Sequence, residues 1–140
     1  MDLDKPVLFQ EVKDFDVIYV CGGNTFYLLK KIREIGFDKV IIEFTKTDKL
    51  YLGVSAGSIL VNPNISAANV GLDPDKNDVD LTDLTGLNLT DVVVSPIIAK
   101  KKTIIDEFKK KSQYKVVPLT DSQALLVIGR ETKIIDGVCI

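Results

Sequence analysis

A glycine–serine segment between an apolar run and a helical pattern constrains the fold of this chain more than any other stretch. Leu50 to Leu52 form the apolar run, typical of a buried strand, and Ser55 to Leu60 predict a helix directly after it. Gly53 and Gly57 flank Ser55 in the spacing G-x-S-x-G. In a nucleophile elbow this spacing holds a serine in a tight, strained turn with its hydroxyl above the sheet edge. The same residues also suit an ordinary turn in which Ser55 caps the helix, so the sequence leaves both interpretations open.

The order of the remaining elements predicts an α/β fold. Asp16–Cys21 is a continuous apolar run, Gly22 and Gly23 follow it, and apolar residues then recur at helical spacing up to Gly36. Further helices are predicted around Phe9–Val12 and over Phe37–Thr47 and Lys101–Ser112, and further strands over Ile65–Val70, Val92–Val94, Val116–Val117, Ala124–Ile128 and Lys133–Ile135. Apolar strands that alternate with helices predict a parallel sheet covered by helices on both faces. Ligands bind such sheets at the carboxyl ends of the strands, where Gly22–Gly23 and Ser55 both lie.

Length and charge narrow the class of protein. We expect the 140 residues to form one domain, 1–140, with a real core. The net charge of -2 and the pI near 5.1 argue against nucleic acid or an anionic membrane surface as the main partner. No apolar run approaches the roughly 20 residues of a membrane span, and the N-terminus lacks a secretory pattern. Cys21 and Cys139 lie in apolar surroundings, which predicts buried thiols in a reducing cytoplasm.

The absence of histidine from the sequence excludes whole classes of chemistry. No mechanism that needs imidazole as a base or as a metal ligand is open to this chain or to a homo-oligomer of it. The acidic segment from Asp73 to Asp78 resembles the start of a calcium loop but has Asp78 where glycine is needed and Leu84 where glutamate is needed. We therefore expect the loop Gly71–Asp83 to be a solvated acidic loop.

The elbow interpretation assigns roles to particular residues. Ser55 would be the nucleophile, and the backbone N–H of Ala56, at the start of a helix, would be one oxyanion donor. Gly22–Gly23 would bring a second N–H to the same point, or would instead be a plain turn before a helix capped by Asn24 or Thr25. Lys100–Lys102 would have to be buried to act as a base, and three consecutive lysines are typical of a solvated helix face.

Two motifs together resemble a known family. Gly22-Gly23-Asn24-Thr25-Phe26 followed by Gly53-Val54-Ser55-Ala56-Gly57-Ser58 is similar to the dipeptidase E and cyanophycinase group of serine peptidases, family S51, and Leu119–Val127 resembles the segment before that family's closing strands. The resemblance implies a three-layer parallel sheet, flavodoxin-like or class I glutamine amidotransferase-like. It implies hydrolysis of small peptides, typically dipeptides with an N-terminal aspartate, by a Ser-His-acid triad without cofactor or metal. Carried over, Ser55 is the nucleophile, and Gly23 with Ala56 lines the oxyanion hole.

The chain departs from the family pattern at three places. Ile97 stands where the family has its histidine, and the acid position falls on Val70 in one register and on Asp73 in a longer one. The family's first βα unit has no counterpart, which predicts an exposed apolar sheet edge and hence a homo-oligomer. The sequence therefore leaves two classes open: a weak or inactive serine hydrolase of small peptides, and a non-catalytic module that binds a small ligand or a partner.

Overall fold

The computed structural model describes residues 4–71, 73–96 and 102–137. The helices are α1 (Phe9–Val12), α2 (Thr25–Glu34), α3 (Phe37–Phe44), α4 (Ala56–Leu60) and α5 (Lys102–Lys111), with a 3₁₀ helix over Ile65–Asn69. The strands are β1 (Val17–Val20), β2 (Leu50–Gly53), β3 (Val92–Pro96), β4 (Lys115–Leu119), β5 (Gln123–Ile128) and β6 (Glu131–Asp136). Within these ranges, none of the helices has the length and apolar content of a membrane-spanning helix.

The helices form where capping residues and apolar periodicity coincide. Asn24 caps α2 by accepting a hydrogen bond from the Tyr27 N–H at 2.9 Å. Gly36 adopts the left-handed conformation (φ 73°) between α2 and α3, as its predicted place at the end of a helix requires. Apolar residues of α2, α3 and α4 fill the main core, among them Phe26, Leu29, Ile32, Ile41, Phe44 and Leu60.

The α/β class is confirmed, and the described strands form three pairs. β1 and β2 are parallel, β3 and β4 are parallel, and β5 and β6 form an antiparallel hairpin. The prediction of one continuous sheet is not met within the described residues. The fully buried Asn62 side chain binds β3 at Val94: its Nδ2 donates to the Val94 carbonyl at 2.9 Å, and its Oδ1 accepts from the Val94 N–H at 2.8 Å. Asn62 thus satisfies edge groups of β3 that a neighbouring strand would otherwise use.

The two parallel pairs differ in how their faces are covered. In β3, Val93 belongs to the main core while Val92 and Val94 pack in a second apolar cluster, so both faces are buried. The predicted double coverage is wrong for β1 and β2, since helices among the described residues cover only one of their faces. The other face exposes four apolar side chains, at 44% to 52% of their surface, and we call it the apolar face: Val17, Tyr19, Leu50 and Leu52.

Two smaller predictions are also wrong. Cys21 is exposed, because it continues the outward-facing alternation of Val17 and Tyr19; Cys139 lies outside the described residues. Ile65–Val70 is a 3₁₀ helix over most of its length rather than a strand. The Asn64 side chain accepts from the Ser66 N–H at 2.7 Å and so begins a helical turn at this point.

Candidate active site

Ser55 lies in a strained turn between β2 and α4. Its φ of 54° and ψ of -117° lie in a region that residues with a side chain rarely adopt. Ser55 is at the N-cap position of α4, yet among the described residues its hydroxyl makes no capping bond. The interpretation of Ser55 as a capping serine is therefore wrong, and the backbone has the strain of an elbow.

Glycines make the elbow possible because the backbones around it touch. A Cβ on Gly53 would lie 2.4 Å from the Gly57 carbonyl oxygen, and a Cβ on Gly57 would lie 2.2 Å from the Val20 carbonyl oxygen. A Cβ on Gly22 would lie 3.1 Å from the Ser55 Cβ and 3.4 Å from its Oγ. The G-x-S-x-G spacing thus reflects close packing of β1, β2 and α4, and the glycine turn lies against Ser55.

Tyr51 ties β2 to α4 beneath the elbow. Its hydroxyl donates to the Gly57 carbonyl at 2.8 Å. Burial raises the pKa of the Tyr51 hydroxyl well above its usual value of 10.0, because the charged phenolate is poorly solvated there. The residue therefore stays a hydrogen-bond donor throughout the ordinary pH range.

A cavity of about 100 Å³ opens beside Ser55. It is lined by Thr25, Ser55, Ala56, Ile59, Ala67, Ala68, Val70, Asp73, Asp75 and Pro96. The structure thus brings the predicted nucleophile and both candidate acid positions, Val70 and Asp73, to one cavity. Gly23 is not among the lining residues, although it adopts a glycine conformation (φ 141°) in the adjoining turn.

Several residues named in the sequence analysis lie outside the described residues. Ile97, at the expected histidine position, lies outside the described residues, as do Lys100 and Lys101. Of Lys102, only its place at the start of α5 is described. The described chain reaches the cavity through Pro96 and no further along this strand.

Asp75 is a site residue that the sequence did not reveal. Its Oδ2 accepts hydrogen bonds from the Thr25 N–H at 2.8 Å and from the Thr25 hydroxyl at 2.5 Å. Thr25 is fully buried. In the sequence, Asp75 is one of several acidic residues of a polar loop, and nothing local distinguishes it from Asp73 or Asp78.

Side chains of α2 hold the rest of this acidic loop. Lys30 donates to the Val79 carbonyl at 3.3 Å, and Arg33 donates to the carbonyls of Asp83 and Thr85 at 2.8 and 2.6 Å. The Thr85 backbone N–H, which donates to the Asp83 carboxylate, lowers the pKa of that group. The loop is therefore not simply solvated, as the sequence predicts, but fastened along α2.

A second cavity, of about 180 Å³, lies elsewhere, between residues 88–91 and the turn of the β5–β6 hairpin. It shares no lining residue with the cavity beside Ser55. Its lining contains no strained serine, so it has no comparable claim to be the catalytic site.

A strained serine between a parallel strand and a helix, at the carboxyl end of that strand, is the arrangement found at the nucleophile of α/β-type hydrolases. The profile of peptidase family S51 matches residues 4–135. The chain belongs to peptidase family S51.

Known relatives agree with this assignment. An uncharacterized peptidase of Listeria monocytogenes is 37% identical over 122 residues, which are 83% of this chain and 58% of the relative. Peptidase E of Escherichia coli is 36% identical over 85 residues, which are 61% of this chain and 35% of the relative. A crystal structure of a protein assigned as a peptidase E from Listeria monocytogenes superposes with a TM-score of 0.76 at 33% identity, covering 97% of this chain and 68% of that one. The chain spans about three fifths of the length of the uncharacterized peptidases from Listeria and Pasteurella to which it is similar.

Proposed function

We propose that this chain is a serine-type hydrolase of small peptides, aspartyl peptides among them, with Ser55 as the nucleophile. The backbone N–H groups of Gly23 and Ala56 are the proposed oxyanion donors, and Asp73 is the proposed acid. The observation that carries the proposal is the strained backbone of Ser55 in the wall of a cavity. Backbone strain of this kind persists only where the surrounding structure enforces it, and such residues cluster at active sites.

The proposed reaction is limited by the missing base. Attack by the Ser55 oxygen on a peptide carbonyl requires transfer of the hydroxyl proton, which family members with a triad pass to histidine. This chain contains no histidine. In subtilisin, loss of the histidine alone lowers kcat about 10⁶-fold, and about 10³ to 10⁴ over water remains from the oxyanion hole and binding. We therefore propose that hydrolysis by this chain is slow or absent.

The missing histidine also favours a second candidate function. A non-catalytic relative would keep the cavity beside Ser55 and use it to bind a small peptide or another small ligand. Binding of a dipeptide that is not turned over, together with no reaction of Ser55 with an acylating or phosphonylating reagent, would support this second candidate.

Restoring the histidine tests the function directly. We expect Ile97→His to raise hydrolysis of an aspartyl dipeptide by about tenfold or more, because it supplies the family's general base. Ile98→His is the matched control, since it adds an imidazole one position away. The increase should disappear when Ser55→Ala is combined with Ile97→His. An equal increase in both histidine variants, or one that survives Ser55→Ala, would contradict the proposed role of Ser55.

We also propose that a second copy of the chain covers the apolar face. Val17 and Leu50 are cross-strand partners, as are Tyr19 and Leu52, so the four side chains form one continuous patch. Exposed apolar patches of this kind mark interaction sites in soluble proteins. An isologous dimer would bury this patch on both copies with the same contacts.

Two broader proposals concern architecture and location. The parallel pairs β1–β2 and β3–β4 support assignment of residues 1–140 to one flavodoxin-like, three-layer domain. The exposed thiol of Cys21 suits a reducing compartment, and we propose the cytoplasm.

A further inference from the structure

Asp75 caps helix α2 from a position far away in the sequence. The first N–H groups of a helix have no partner within the helix. At the start of α2, the Asp75 carboxylate, fifty residues along the chain, accepts from the Thr25 N–H at 2.8 Å. The same oxygen accepts from the buried Thr25 hydroxyl at 2.5 Å.

The backbone around Asp75 joins three elements at this point. The Asp75 N–H donates to the Ala68 carbonyl at 2.9 Å, which ties the loop to the 3₁₀ helix. The Asn24 side chain donates to the Lys76 carbonyl at 2.8 Å. The loop is therefore fixed both to the start of α2 and to the 3₁₀ helix, and Thr25 and Ala68 from these two elements both line the cavity beside Ser55.

These contacts act on the glycine turn beside the nucleophile. Gly22 and Gly23 directly precede Asn24 and Thr25, and a Cβ on Gly22 would be 3.1 Å from the Ser55 Cβ. Glycines have no side chain by which the turn could be anchored, and Gly23 (φ 141°) has a conformation that other residues avoid. The position of the turn is consequently set by its two ends, which are β1 and Thr25.

We propose that Asp75 is a positioning residue that holds the turn Gly22–Gly23 against Ser55 by binding Thr25. The inference rests on the proposed function, because it gives the turn the role of an oxyanion donor. Asp75 acts by accepting hydrogen bonds from Thr25, and neither its charge nor a proton on it takes part in the reaction.

Variants of Asp75 separate positioning from acid–base chemistry. The measured quantity is the rate at which a fluorophosphonate reagent, at saturating concentration, modifies Ser55, followed by intact-protein mass. We expect Asp75→Ala to lower this rate by about tenfold or more, because small displacements of catalytic groups have large effects on rate. Asp75→Asn should stay within about threefold of wild type, since an amide oxygen accepts the same bonds. Asp78→Ala, in an exposed position of the same loop, is the matched control and should leave the rate unchanged.

Each other result contradicts the proposal. A wild-type rate in Asp75→Ala would show that the contact does not position the turn. A loss in Asp75→Asn as large as that in Asp75→Ala would assign the effect to the charge of Asp75 instead.

Thr25→Ser should label like wild type and Thr25→Val more slowly, because only the first keeps the hydroxyl donor.

Amide hydrogen exchange decides the inference even if wild-type Ser55 does not react. In that case the proposed function fails, while the positioning contact is still measured by exchange of residues 22–27. We expect Asp75→Ala to speed exchange of these amides about tenfold, and Asp78→Ala to leave it unchanged, because the Thr25 N–H loses its acceptor only in the first. Unchanged exchange in Asp75→Ala would overturn the inference.

Discussion

At Ser55 the protein keeps a backbone conformation that stability alone would not select. The φ of 54° disfavours a side chain, while glycine adopts such values freely. We therefore predict that Ser55→Gly raises the free energy of unfolding by about 1 kcal/mol relative to Ser55→Ala, which keeps the strain. Urea denaturation of the two variants, followed by circular dichroism, measures this difference.

The matched control lies three residues further on. Ser58 is an interior residue of the same helix. There Ser58→Gly should lower the unfolding free energy by about 1 kcal/mol relative to Ser58→Ala. If Ser55→Gly proved as destabilising as Ser58→Gly, the strain assigned to the elbow would not exist.

The elbow around Ser55 could be predicted from the sequence, and the contact of Asp75 with Thr25 could not. Gly53, Ser55 and Gly57 are close in sequence, so their spacing alone predicts the turn that the structure contains. Asp75 acts through Thr25 across fifty residues, and such a contact is created only by the folded chain. The aligned position Val70 and the later Asp73 both reach the cavity, which the sequence could not establish.

Between elements, the Tyr51 hydroxyl links β2 to the first turn of α4. We predict that Tyr51→Phe lowers the free energy of unfolding by about 1 kcal/mol, because the Gly57 carbonyl loses its buried donor. Thermal or urea unfolding near neutral pH measures this loss.

The pH dependence of that stability follows from the raised pKa of Tyr51. The folded state binds the phenolic proton more tightly than the unfolded state does, so the stabilisation is complete below the unfolded pKa, near 10.0. It is lost as the pH rises from there toward the higher folded pKa. We predict that wild type loses stability more steeply than Tyr51→Phe above about pH 10, and parallel curves would contradict burial of this hydroxyl.

Asn62, two residues beyond the end of α4, binds β3 through two hydrogen bonds to the backbone of Val94. Replacement by leucine, of similar size, would leave the N–H and the carbonyl of Val94 without their partner. We predict that Asn62→Leu lowers the free energy of unfolding by about 2 to 4 kcal/mol. Asn69→Ala, at an exposed position, is the control and should change it by less than about 0.5 kcal/mol. A small effect of Asn62→Leu would show that β3 finds other partners.

The elements themselves were largely predictable, and their pairing was not. Apolar runs and helical periodicity predict the positions of β1, α2, α3, β2, β3 and α5 within a few residues. The strand predicted over Ile65–Val70 fails because a side-chain cap at Asn64 outweighs the apolar pattern. The contact of the Asn62 amide with Val94 joins residues 32 positions apart, so no local pattern predicts it.

For the molecule as a whole, the apolar face predicts self-association. Leu52→Lys would place a charge in the centre of the proposed contact, and we predict that it converts a dimer into a monomer in sedimentation velocity at micromolar concentration. Ile128→Lys is the control, since Ile128 is 67% exposed on the separate β5–β6 hairpin. A wild type that sediments as a monomer would contradict the proposal.

The thiol of Cys21 provides an internal reporter for the same surface. It is exposed beside the apolar face in the single copy, so a covering partner should slow its alkylation. We expect the alkylation rate to fall as protein concentration rises through the dimerisation range, and to stay constant in Leu52→Lys.

The class of fold and the family followed from local motifs, whereas the coverage of β1 and β2 did not. An apolar strand sequence predicts that both faces of the strand are buried, but it does not predict which elements bury them. β3 and β1 are similarly apolar, yet β3 is buried on both faces and β1 on one. The element or chain that covers a sheet face is determined only in the folded or assembled molecule, so it must be measured.

We propose that Ser55 is a nucleophile presented at an elbow, and its covalent reactivity is the decisive measurement. Wild type and Ser55→Ala are incubated with a fluorophosphonate reagent, and intact mass and peptide mapping follow the product. We predict one adduct per chain, formed slowly, located on Ser55 and absent from Ser55→Ala. An adduct that persists in Ser55→Ala, or a wild-type chain that stays unmodified, would contradict the claim.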